Sequence, residues 1–110
     1  MISSESISLP KVLIMRYRFA LESGKNAAAD DEARLYDVHL KALDNLEKAL
    51  NLKEPVESIA RHIWQERRSH GWSYLSGEAG GQATSLFHEL AEIVEKQIFK
   101  IKGRDWYYSL

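Results

Sequence analysis

A chain of 110 residues that is 45% hydrophobic can bury one real core and is too short for two ordinary domains. With 15 Lys+Arg against 16 Asp+Glu the formal net charge is −1, which disfavours a protein living on nucleic acid, where a basic excess is usual. Cysteine is absent, so disulfides and thiolate metal sites are excluded, and the chain fits a reducing compartment. No basic stretch leading into an apolar run opens the sequence, and the longest apolar run, Val12 to Met15, is far too short to span a membrane. The expectation is a cytoplasmic protein without a membrane partner.

The chain reads as all-α, one small domain over 1–110 with about four helices, near 11–22, 29–50, 55–70 and 82–101. Residues 1–8 are serine-rich and expected to fray. Leu9-Pro10 opens the first element, and Gly24 is expected to stop it. Its apolar residues fall on two sides. Val12, Met15, Phe19 and Ala20 share one, while Ile14, Tyr17 and Leu21 share the other. Read as a strand the same residues alternate, but length and the proline–glycine bracket favour a helix. A short helix apolar on two sides is central in its domain or shared with a second subunit.

The second helix carries Leu35, Val38, Ala42, Leu43, Leu46, Ala49 and Leu50 on one stripe, with His39 inside it and Tyr36 and Leu40 off it. Asp30, Asp31 and Glu32 occupy its first turns, where anions complement the helix dipole. The third helix, from Pro55, has Val56, Ile59, Ala60, Ile63 and Trp64 at i, i+3, i+4, i+7 and i+8. Extended, that stripe meets Arg67 and His70, then Gly71 as the expected stop. Arg61 and Arg68 project the other way.

Two readings of Arg67 and His70 stand. In one, both sit at the core rim, Arg67 with its stem on Trp72 or in an ion pair, and His70 complementing the helix C-terminus. In the other, Trp64, Arg67, His70, Trp72 and Tyr74 line a pocket for a protein partner or a small anionic ligand. The stretch also resembles a known family. Ala60, Trp64, Arg67 or Arg68, and Gly71-Trp72-Ser73-Tyr74 are similar to the ryanodine-receptor repeat domain over roughly residues 55–100, with Leu86, Glu89, Leu90 and Lys96 echoing its second half. That module also occurs in bacterial and phage proteins.

Ser76 to Gly81, with three glycines, reads as a flexible loop without the spacing of a phosphate cradle. The last helix carries Ala83, Leu86, Leu90, Ile93, Val94, Ile98 and Ile101, with Phe87 beside the stripe and Gln97 within it, needing partners if buried. His88 and Phe99 fall on the reverse face. After Gly103 an aromatic tail, Trp106-Tyr107-Tyr108, folds back on the core or docks on another chain. Tyr17, Phe99, Trp106, Tyr107 and Tyr108 are therefore the interface candidates, and a homodimer is the expected assembly.

His62, Glu66 and His70 stand four apart on one helix line, and His88 and Glu92 repeat that spacing. Glu–His at i, i+4 is ordinary surface pairing, and no full ligand motif accompanies it, so no metal and no cofactor is expected. Neither a nucleophile elbow nor a base dyad is recognisable, which argues against an enzyme. The profile suits a helical binding module, of the kind found among small bacterial or phage regulators and inhibitors. The alternatives are a nucleotide or single-stranded nucleic-acid binder using Arg61, Arg67 and Arg68 with stacking aromatics, and a structural homo-oligomer subunit.

Overall fold

The computed structural model describes residues 7–72 and 75–110, Trp72 by its backbone alone. Five helices follow one another: α1 (Lys11–Ala27), α2 (Asp30–Asn51), α3 (Val56–Trp72), α4 (Gly77–Lys102) and the short α5 (Arg104–Tyr108). The expected all-α domain of about four helices is what forms, with α5 as an appendix. The four long helices make an up-down-up-down bundle in which α1 packs on α2 and α4, and α3 on α2 and α4. Ion pairs mark the antiparallel seams: Lys25 to Asp37 at 2.7 Å for α1–α2, and Lys102 to Glu57 at 2.6 Å for α3–α4. Among the described residues, no helix is long and apolar enough to cross a membrane.

The first glycine does not end its helix. α1 continues past Gly24 to Ala27, and Gly24 packs directly against Tyr36 of α2. A Cβ there would run into the Tyr36 ring, so the missing side chain is a packing solution and not a break. The expected loop at 76–81 is also helical: α4 starts at Gly77, and the missing Cβ of Gly80 makes room for the Leu75 backbone. Gly71, expected as a stop, lies inside α3 with nothing near its missing Cβ, and no contact explains it. Gly103 does stop its helix, at φ +91, with its N–H bonded to the Phe99 carbonyl.

Of the two apolar sides of α1, Ile14, Tyr17, Ala20 and Leu21 enter the core while Val12, Met15 and Phe19 face outward. On α2 the buried line is Tyr36, His39, Leu43, Leu46, Ala49 and Leu50; Val38, expected in the stripe, is exposed, and Tyr36, expected off it, is inside. The N-terminal stretch is held at its end: Ile7 is buried, and the Ser8 N–H donates to Gln97 Oε1 at 2.7 Å. The mid-stripe glutamine thus finds the partner it required. The earlier residues expected to fray, 1–6, lie outside the described residues.

Candidate functional site

Of the expected pocket residues, Trp64, Arg67 and His70 have described side chains, and Arg67 is engaged within its own chain. Its guanidinium is closed on Glu95 of α4, Nε to Oε2 at 2.6 Å and Nη2 to Oε1 at 2.7 Å, with Nη1 3.2 Å from His88 Nδ1. That two-pronged bond with the carboxylate raises the arginine's pKa further. The Tyr107 hydroxyl donates to the same carboxylate at 2.5 Å. Burial, then the bond to Glu95, keeps this phenol un-ionised by raising its pKa. Glu95 is itself buried, so Arg67 neutralises a core carboxylate at the bundle's edge. Trp64 is half-buried, edge-on to Tyr107 at 6.1 Å between centroids. The expected contributions of the Trp72 side chain and of Tyr74 lie outside the described residues.

His70 turns inward and is buried. It belongs to a buried polar cluster to which α1, α2 and α3 each contribute: Tyr17, His39, and Glu66 with His70. Phe87 of α4 closes it, stacked on the His70 ring at 4.5 Å, and His39 stacks on His70 at 4.1 Å. His39 Nδ1 is 2.7 Å from Glu66 Oε2, and the Tyr17 hydroxyl donates to that same oxygen at 2.9 Å. The hydroxyl oxygen is also 2.7 Å from His70 Nε2. Because Tyr17 gives its one proton to Glu66, His70 must donate from Nε2, which leaves Nδ1 a bare acceptor.

Electrostatics agree with that proton arrangement. Burial, then the neighbouring His39, His88 and Arg67, lower the His70 pKa from 6.5 to about 3, so its ring is neutral. Burial, then Glu66, pushes the Tyr17 phenol far above its ordinary value. Among the described residues, two buried side-chain atoms have no hydrogen-bond partner, Glu66 Oε1 and His70 Nδ1. Both are acceptors, so the cluster is short of donors.

Sequence reasoning named His70 but missed the groups around it. His39 was visible as a polar residue within an apolar stripe. Glu66 was visible within the His62–Glu66–His70 row, where His70 now turns inward with it while His62 stays half-exposed. Tyr17 and Tyr107, expected at an interface, are enclosed in the chain's own core at 1% and 0% exposure. The aromatic tail folds back: Tyr107 packs edge-on to Phe99 at 5.5 Å, and Trp106 is partly covered. Of the interface candidates only Tyr108 is widely exposed.

Two of the open features at the surface involve α4. Met15, Phe19, Ala20, Ala79 and Leu86 line an apolar groove of about 360 Å³ between α1 and α4. Arg67, Lys96, Arg104, Phe99 and Tyr108, with Glu92 and Glu95, line a more polar hollow of about 450 Å³ beside α5. Arg61 and Arg68 are exposed and stand apart from Arg67's ion pair. No family model matches the chain, and neither a curated protein nor a solved structure matches it.

Proposed function

We propose that this chain is a non-enzymatic helical interaction module that works as a homodimer, joined through the outer face of α1. The supporting observation is the outward stripe Val12, Met15 and Phe19, each about 70% exposed on a helix whose other side is already core. The stripe borders the apolar groove, whose lining offers thioether, methyl and ring surface, with Arg16 as its one charge. Such a surface binds; it carries no acid–base pair for chemistry. Charge placement favours a second copy as the occupant. Lys11 and Glu22 lie along the same edge of the stripe at opposite ends of α1, so a two-fold antiparallel pairing sets each Lys11 near Glu22 of the other copy. It also sets Phe19 against Val12.

Sedimentation at tens of micromolar, an ordinary affinity scale, tests the reading. The parent should run as a dimer, and Phe19→Glu should run as a folded monomer, because Phe19 makes no contribution to the core. A parent that stays monomeric overturns it.

A second reading, a small anionic ligand, is favoured by the hollow beside α5, where Arg104 lies over Phe99 at 5.0 Å and Lys96 stands nearby. Binding there should weaken steeply with salt and should be lost in Arg104→Ala.

A further inference from the structure

We propose that His39, Glu66 and His70 form a binding site for a divalent first-row transition ion, zinc or cobalt, in the middle of the bundle. Each of the three offers one ligand atom, and these atoms lie within 4.8 Å of one another. Two imidazole nitrogens and a carboxylate oxygen are a donor set suited to such ions. Around a tetrahedral ion with bonds of about 2.0–2.1 Å, ligand atoms stand roughly 3.3–3.5 Å apart. Glu66 Oε2 and His70 Nε2 already stand 3.5 Å apart. His39 Nδ1, at 2.7 Å from the same oxygen, must draw back by several tenths of an ångström.

The donor shortage is the independent observation. Glu66 Oε1 and His70 Nδ1 are buried lone pairs with nothing to accept from, and leaving such groups unsatisfied is costly. A cation on the other atoms of the same two groups, Glu66 Oε2 and His70 Nε2, offsets the carboxylate's charge and leaves the imidazole proton to cover Nδ1. As it binds, His39 Nδ1 and His70 Nε2 face the ion without protons, and each neutral ring carries its one proton on the other nitrogen. Tyr17 continues to donate to Glu66, orienting a ligand carboxylate as outer partners of metal sites do.

An approach exists. Ala42, Asn45, His62, Gln65 and Ser69 line a small cleft of about 150 Å³ between α2 and α3, and Glu66 forms part of its wall. The ion would enter there, past the half-exposed His62.

The test uses the full chain stripped of metal with a chelator and titrated with cobalt(II). One equivalent should bring up visible ligand-field bands, and one equivalent of zinc should abolish them and raise the melting temperature. His39→Gln and Glu66→Gln should each weaken cobalt binding at least about a hundredfold, more than the loss of an outer partner costs; His62→Gln should leave it unchanged. Should the core variants fail to fold, imidazole nitrogen spectra of the parent decide: zinc must shift His39 and His70 and spare His88. No bands and no zinc retention in the folded parent, or loss of binding on His62→Gln alone, would overturn the site. The first outcome would assign the lone pairs to a buried water.

Discussion

Tyr17 and His70 meet across the bundle, hydroxyl to Nε2 at 2.7 Å, although α1 and α3 are not neighbours in the ring of helices. This bond ties a helix with an apolar outer face to the helix that carries two of the four buried polar residues among those described, Glu66 and His70. It also makes Tyr17 the link between His70 and Glu66.

Tyr17→Phe keeps the ring and its packing on Phe87 but removes that hydroxyl. Glu66 loses one donor and His70 its 2.7 Å hydrogen bond. Leaving buried groups unpaired costs about 1–3 kcal/mol. Urea denaturation should show that loss in midpoint with little change in slope; a midpoint within experimental error of the parent would mean water repairs the cluster.

Acid should weaken the fold through His70. Its folded pKa, about 3, lies below the ordinary 6.5, so the unfolded chain binds the proton first. Stability from this group is complete above pH 6.5 and is lost as pH falls toward 3, at about 1.4 kcal/mol per pH unit. The groups facing it are Tyr17 from α1, His39 from α2, and Glu66 and Arg67 on its own helix, with His88 of α4 contributing charge. Melting followed from pH 7 to pH 4 should show this slope, and His70→Gln should flatten it.

Arg67 and Arg68 are adjacent and should behave oppositely. Arg67→Ala strands the buried Glu95 with only Tyr107 to support it, at about 2–3 kcal/mol; the arginine's partial exposure keeps this below the cost of breaking a fully buried pair. Arg68→Ala removes an exposed charge and should change stability by less than about 0.5 kcal/mol. Thermal melts of the two variants separate these outcomes. Equal losses would place Arg68 in the core.

The helices were legible because the apolar residues of α3 and α4 recur at helical spacing, and Arg67 and His70 were found by extending that line. Their partners were not. Whether Arg67 meets Glu95 or Glu92, one turn apart on α4, depends on how α4 is rotated, and single-helix periodicity does not contain that angle. The same gap hid Tyr36 and misplaced Val38. Glycines misled for another reason. Local propensity charges about 1 kcal/mol for glycine within a helix, yet at Gly24 and Gly80 close packing outweighs it, and that contact lies in a distant part of the sequence or in the backbone.

The meeting of Gly24 with Tyr36 has a genetic consequence. Tyr36 and His39 are one turn apart on α2, both buried, so a methyl group added at Gly24 displaces a ring that stands beside the histidine stack. A side chain at position 24 therefore presses on position 36. Gly24→Ala should behave as a temperature-sensitive lesion, and its second-site suppressors should concentrate at position 36, where a smaller side chain returns the space. The two positions would be inherited as a matched pair, each acceptable only in the company of the other.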